Sequence, residues 1–365
     1  MPYPLSADPI SVSRWIGYSQ FLNHCGSERR ALTEQFPSPD HVLDAPASVP
    51  LASWRSEIMR GSKRDYSCPP DSWVMTMTDD LYSPLLGECD DAPSVLFGRG
   101  DYSQLNKPAI AIVGSRRPSL DGRLLAQRFA YELASAGFVI VSGLATGIDA
   151  AAHRGALEAA GHTVAVVATG IDTTYPAVNR TLSETIVENG ALLSQFVPGS
   201  APKRHHFPRR NRTISGLSLA TLVIEAGLPS GTLITATAAA EQGRDVFVLP
   251  WSVRHQAGRG CLKLLMEGAL LATTPEDVIR GVNWHRPLAI GHASSTHVSV
   301  SGGDGTLPRT TSQTALLEAL GDGSHSSDDI ARLLSLDIAE VHRDLVKLEI
   351  DGQVMRHDSG CWIRA

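Results

Sequence analysis

From residue 109 onward, short apolar runs alternate with longer mixed stretches. The runs are 109–113 (AIAIV), 138–142 (FVIVS), 163–169 (TVAVVAT), 191–196 (ALLSQF), 220–226 (ATLVIEA) and 245–250 (DVFVLP). Each is β-rich and nearly all apolar, as strands buried on both faces are. The stretches between them predict helices at about 121–136, up to 160, 180–189, from about 209, and through 242. Strands that alternate with helices in this way make βαβ units and a parallel sheet covered on both sides. The pattern therefore predicts a Rossmann-like, doubly wound, mostly parallel α/β domain over residues 96–281.

The flanks follow other patterns. Residues 1–95 show mixed helical character at 13–22 and 28–36, broken by Pro, Ser and Asp, with a short alternating strand at 73–78 (WVMTMT) and another at 95–97. They read as a small, mainly helical module. Residues 282–310 are rich in Ser, Gly, Thr and His without periodicity, which is the composition of a linker. Beyond them, helices are expected at 314–320, 326–334 and 337–350. The second opens on Ser326-Ser327-Asp328-Asp329, close to a capping box. Segments 353–356 and 361–364 then flank a turn as a hairpin. Three helices and a two-stranded wing predict a winged helix over 311–365.

Charge divides the chain in the same places. Residues 1–95 hold 13 acids and 7 bases, 96–281 hold 14 and 18, and 282–365 hold 11 and 7. The overall net charge of −6 thus conceals a core of net +4, where a polyanion is expected to bind. The basic residues concentrate in 196–218 (FVPGSAPKRHHFPRRNRTISGLS), with Lys203, Arg204, Arg209, Arg210 and Arg212 around His205, His206 and Phe207. No acid occurs from Asn189 to Ile224. Cations beside an aromatic ring suit a phosphate backbone and a stacked base. A solvated charged loop is the plainer alternative, and what weighs against it is position, between a strand and a helix. Five cysteines, far apart and without a CxxC pair, argue for a reducing compartment and against structural zinc. With no signal-peptide pattern and no apolar run near the roughly 20 residues of a membrane span, a cytoplasmic protein is expected.

In a parallel sheet the strand-to-helix loops emerge at one edge, where ligands bind. That rule gathers 114–119, 143–147, 170–176, 196–208 and 228–232 onto one surface. Gly114, Gly143, Gly147, Gly170 and Gly231 allow close backbone approach there, Ser115 and Thr232 offer hydroxyls, and Arg116 adds charge. No GxGxxG and no P-loop is present. Asp149 and His153 share one helix but lack the further ligand a metal needs, and Ser142 and Ser230 lack a His/Asp partner. Glu225, ending a buried strand, reads either as a base facing a ribose or, in the favoured reading, as an anchor for backbone amides of the neighbouring loop. No cofactor or metal is expected. In the C-terminal module, Glu340, Asp344, Glu349 and Asp351 on the third helix outweigh Arg343 and Lys347, which disfavours groove insertion into duplex DNA.

Six ordered blocks, AIVGSRRPS, GFVIVSGLATGIDAAAHRGAL, TGIDTTYPAVN, FPRRNRTISGLS, VIEAGLPSGTLITA and GRDVFVLP, resemble the DprA (Smf) family of bacterial DNA-processing proteins. The resemblance spans about 79–279. It implies an extended Rossmann fold, a homodimer, sequence-independent binding of single-stranded DNA and loading of a RecA-type recombinase during natural transformation. Carried over by position, DNA contacts fall on Ser115 and Arg116, and on Arg204, Phe207, Arg209, Asn211 and Arg212, with Gly114 and Gly231 beside them. Three departures stand out: Arg204 where Lys is frequent, Ala177 where Lys is common, and Trp251 where Gly is usual. A competing reading is a nucleotide-binding enzyme on the same Rossmann variant, such as a nucleoside-monophosphate phosphoribohydrolase. Those enzymes show Pro-Gly-Gly-x-Gly-Thr, whereas this chain has Pro229-Ser230-Gly231-Thr232. That difference and the density of Arg favour DNA.

Overall fold

A computed structural model describes residues 9–23, 25, 28–46, 52–61 and 68–285, together with 316, 327–334, 338, 341, 344–345, 347–348, 354–356 and 362–364 of the C-terminal region. The chain divides into two compact units, 1–289 and 290–365.

In the first unit, four helices, α1 (Pro9–Leu22), α2 (Arg29–Gln35), α3 (Pro39–Asp44) and α4 (Ala52–Gly61), precede a nine-stranded sheet. The strands are β1 (Ser72–Thr76), β2 (Val95–Gly100), β3 (Ala109–Val113), β4 (Val139–Ser142), β5 (Thr163–Val167), β6 (Ala191–Ser194), β7 (Ala220–Val223), β8 (Asp245–Val248) and β9 (Leu270–Leu271). Their order across the sheet is β1-β2-β6-β5-β4-β3-β7-β8-β9. From β6 to β9 every neighbouring pair is parallel, while β1–β2 and β2–β6 are antiparallel. The connecting helices are α5 (Pro84–Gly87), α6 (Leu120–Ser135), α7 (Ile148–Glu158), α8 (Arg180–Asn189), α9 (His206–Gly216), α10 (Gly231–Glu241), α11 (Arg259–Met266) and α12 (Pro275–His285).

Strand β3 shows how the pattern becomes layers. Ala109, Ala111 and Val113 face one core, with Ile214 of α9, Ala236 of α10 and Leu264 of α11. Ile110 and Ile112 face the other, with Phe129 of α6, Ala152 of α7 and Val278 of α12. Period-two alternation thus buries both faces, and the doubly wound, mostly parallel sheet read from the sequence is the fold. Residues 282–285, read as the start of a linker, instead finish α12, where Val282 is buried in the second core. The rest of that stretch, 286–310, lies outside the described residues.

The helices of residues 9–61 do not build a core of their own. Trp15, Ile16 and Trp54 pack in one cluster with Phe97 of β2, Val167 of β5 and Leu192 of β6. Because β2 pairs with β6 in register Phe97↔Ser194, the boundary drawn at residue 95 falls inside the sheet's own strand order.

In the C-terminal unit, α13 (Ser327–Leu334) and the described helical residues from Ile338 to Leu348 surround a small core of Leu316, Ile330, Val341, Leu345, Val354 and Trp362. Strands β10 (Val354–Arg356) and β11 (Trp362–Arg364) pair antiparallel as the expected wing. Of Ile338, Val341, Leu345 and Leu348, the apolar positions at helical spacing in the third helix, the last three fill this core while Ile338 is exposed.

Candidate nucleic-acid interface

Strand β3 is where the sheet reverses its winding, with β4 on one side and β7 on the other, so a crevice opens beyond its carboxyl end. Backbone bonds draw the loops around it together. The Ser115 amide donates to Glu225 O at 2.7 Å, and the Ile148 amide donates to Ser115 O at 3.1 Å. Gly147 turns there with φ +84°, a conformation that favours glycine.

The crevice is a cavity of about 500 Å³. Ser115 and Arg116 enter from the β3 loop, Phe207 and Asn211 from α9, and Gly231 and Thr232 from α10. Helix α10 points its amino end at this space, capped by Ser230, whose Oγ accepts from the Thr232 amide at 3.2 Å. A helix start supplies donors and a positive field to an anion. A Cβ at Gly231 would meet nothing within 4 Å, so the glycine keeps that approach open rather than relieving a clash. Gly114, by contrast, packs beneath Ile148, where a Cβ would lie 2.6 Å from Cγ1.

Arg116 is exposed, with its guanidinium 4.9 Å from the centroid of the half-buried Phe207 ring. Tyr175 meets the same ring edge-on at 6.1 Å. A cation and an aromatic face are therefore presented side by side at the mouth of the crevice.

Under Phe207 lies Arg210, one of the cations of the basic stretch but not among the contacts that the resemblance implies. It is 4 % exposed, and its Nη1 donates to Gly143 O and, at 2.7 Å, to Val166 O. Its Nε donates to Asn211 Oδ1 at 3.1 Å, so it also orients an amide that lines the cavity. Burial lowers its pKa to about 10, with the nearby Asp149 acting in the opposite direction. Burial pushes the Asp149 carboxyl up, and Arg210 partly offsets that. Any side chain at Gly143 would collide with the guanidinium and sit 2.7 Å from Asp149 Oδ2, which is why this turn has none. The signal for Arg210 was its spacing: Phe207, Arg210, Asn211 and Ile214 all line the cavity, at i, i+3, i+4 and i+7 of one helix.

Three of the expected contacts face elsewhere. Arg212 is ion-paired with Asp91 and, at 2.5 Å, with Glu241. Arg209 turns toward α1, where Nη2 donates to Asn23 Oδ1. Arg204 is exposed and lines none of this cavity. The helix also begins at His206, three residues before the expected start, with Pro208 tolerated in its first turn, where no amide is needed.

The remaining candidates are structural. Glu225 is fully buried and accepts from the Ser119 amide at 3.0 and 3.1 Å and from the Ser119 hydroxyl, tying down the β3–α6 loop as the favoured reading held. His255 Nε2 lies 3.2 Å from the same carboxylate and stacks on Trp251, whose Nε1 donates to Ile224 O at 2.7 Å. The tryptophan that departs from the resemblance thus anchors its loop. His153 is buried against Thr163 Oγ1 at 2.7 Å, and burial lowers its pKa to about 3, so it stays neutral.

Fold and crevice define a doubly wound α/β protein with a cationic, aromatic-edged groove at its switch point, followed along the chain by a winged helix. The chain belongs to the DNA recombination-mediator protein A family, whose model matches residues 73–283; the DprA winged helix domain matches 305–360. It is similar to DNA processing protein DprA of Streptococcus pneumoniae, 44% identical over 204 residues, which cover 56% of this chain and 72% of that one. Protein Smf of Escherichia coli is 35% identical over 286 residues, covering 78% of this chain and 75% of the relative. The X-ray structure of the S. pneumoniae protein superposes with a TM-score of 0.63 at 35% identity, over 73% of this chain and 97% of that chain. A structure concerned with the single-stranded DNA binding mode of DNA processing protein A from Helicobacter pylori superposes with a TM-score of 0.51 at 31% identity, over 55% and 92%.

Proposed function

We propose that this protein binds single-stranded DNA without regard to sequence, and that the groove at the switch point is where it does so. The observation that carries this reading is Arg116 set over Phe207 at the groove mouth, opposite the amino end of α10. A phosphate is met by the guanidinium and by helix amides, and a base is met by the ring, which is sequence-tolerant recognition. The H. pylori relative, described by its single-stranded DNA binding, supports the same chemistry. In this reading Gly114, Ser115, Arg116, Phe207, Asn211 and Gly231 make the site. The protein acts without catalysis, in the cytoplasm, as a mediator that loads a RecA-type recombinase during transformation and recombination. It works as a homodimer; Leu270 and Leu271 on edge strand β9 are exposed, as is Met266 of α11, and an exposed apolar edge strand is suited to a second copy.

The test uses the full chain with labelled oligo-dT, a duplex of equal length and nucleoside monophosphates, each titrated against salt. Tighter binding to the single strand, with no cleavage of the monophosphates, is expected. Preference for duplex would defeat the reading, and release of a free base would make the groove an enzyme site instead.

A further inference from the structure

Helix α9 has a second working side. Away from the groove, α1 and the ends of β2 and β6 close a pocket of about 300 Å³ against the start of α9. Ile16, Phe97 and Phe196 form its apolar wall. Phe196 is stacked face to face on His206 at 3.9 Å, with the Arg209 guanidinium 5.7 Å from the Phe196 ring. Exposed Lys203 stands at the same pocket.

Two details set this pocket apart. Arg209 Nη2 donates to Asn23 Oδ1, and Arg29 Nη1 approaches that same oxygen at 3.4 Å. Two guanidinium groups therefore meet on one neutral acceptor. The carboxylate whose field reaches both, Asp91, is already ion-paired with Arg212. Burial, and after it the charge of Arg29, push the Arg209 pKa down, as happens to a cation short of compensation. The second detail is Gln195, which also lines the pocket. Its Oε1 accepts from Thr213 Oγ1 at 2.9 Å, while its buried Nε2 has no hydrogen-bond partner among the described residues. Of the eight buried side-chain polar atoms without a partner among the described residues, it is the one whose residue lines this pocket.

We propose that this pocket is a second nucleotide subsite. The phosphate lies between Arg209 and Lys203 in place of Asn23, and the base lies along the Phe196 wall with Gln195 donating to a ring carbonyl or nitrogen. A volume of about 300 Å³ is at the small end for ligand pockets and suits one nucleotide. The subsite rests on the single-strand reading above and extends it. His206 and Phe207, adjacent in sequence, line the two different cavities, so a strand leaving the groove crosses only the first turn of α9 to reach the N-terminal helices. It also gives residues 9–23 a part in DNA binding, which the acidic balance of the N-terminal region concealed.

The same chemistry is offered by a nucleotide within a strand and by a free nucleotide, and the experiment separates them. The full chain, Arg209→Ala, Arg209→Lys and Gln195→Leu are titrated with a short oligo-dT that fills the groove alone, with a longer oligo-dT, and with thymidine monophosphate, against site sizes of about 4–16 nucleotides. For the longer strand, Arg209→Ala is expected to weaken binding several-fold and flatten the salt slope by about 0.7, the value for one phosphate on a single strand. Arg209→Lys should restore most of the slope, and Gln195→Leu should weaken the longer strand without changing it. The short strand should be insensitive to all three. Monophosphate binding that is lost in Arg209→Ala identifies a free nucleotide as the occupant; discrimination by the longer strand alone identifies the strand. If Arg209→Ala melts early, Lys203→Ala makes the same comparison on an exposed side chain. Equal loss on both strand lengths, or no loss with any ligand, overturns the subsite. A wild-type chain that binds neither strand defeats the groove reading itself, while the monophosphate arm still reports on the pocket.

Discussion

Arg116 and Phe207 touch, yet they are expected to fail differently. Arg116 is exposed and bonded to the fold mainly through its backbone, so Arg116→Ala should melt normally, weaken oligo-dT binding and lower the salt slope by about 0.7. Phe207→Ala removes a stacking face and should cost about 1–3 kcal/mol of binding with the slope unchanged. A Phe207→Ala protein that melts and binds normally would remove the ring from the site. Arg210 belongs to a different class. Replacing it with Met leaves the buried Gly143 and Val166 carbonyls without their donor and removes a cation near Asp149, a loss of about 1–3 kcal/mol. The pH dependence has a definite sign. Asp149 has a raised pKa in the fold, so the native state holds more protons than the unfolded chain and stability falls as pH rises through that window. Arg210 limits this fall, so the Arg210→Met deficit should be largest near pH 7 and smaller near about pH 4.5. Denaturant unfolding at the two values checks it; a deficit independent of pH would place the cost in packing. The sequence made the basic cluster legible as a cluster, but not the direction of each side chain. Residues on a helix are turned about 100° from their neighbours, so Arg209, Arg210 and Arg212 reach three different environments.

At the scale of elements, the six apolar runs were legible because a strand buried on both faces is nearly all apolar, with only small buried hydroxyls such as Ser142, Thr163, Ser194 and Thr221 among its core residues. The runs overreach only where residues beyond the ladder stay buried for loop packing, as Ile224 and Ala226 do after β7. Strand β9 was not legible, since two exposed leucines carry no period. Nor was the antiparallel return of β2, because pairing across about a hundred residues leaves no local trace. The loop after β8 shows what a single departure from a family pattern does. Trp251 stacks on His255, His255 reaches Glu225, and Glu225 holds the Ser119 amide at the head of α6. Trp251→Gly should therefore lower stability by about 1–3 kcal/mol, an ordinary range for a lost anchor. It should also speed amide exchange at Ser119, on the far side of Glu225. Exchange that quickens only at residues 250–258 would show that the chain of contacts ends at the tryptophan.

For the molecule as a whole, every residue of the groove lies within the first compact unit. A chain ending at residue 285 should accordingly keep its affinity for oligo-dT within about two- to threefold, well inside the tenfold that 1.4 kcal/mol represents. A loss as large as that of Arg116→Ala would assign the winged helix a share of the binding. The strand order has a further consequence, which concerns the order of synthesis. The chain emerges from the ribosome amino end first, but Trp15, Trp54 and Phe97 share their core with Val167 and Leu192, and β2 has no ladder beyond β1 until β6 exists. The first hundred residues must therefore wait for nearly another hundred, with an aromatic surface uncovered, before they can settle. During that interval the nascent protein offers a target for chaperones that the finished fold conceals.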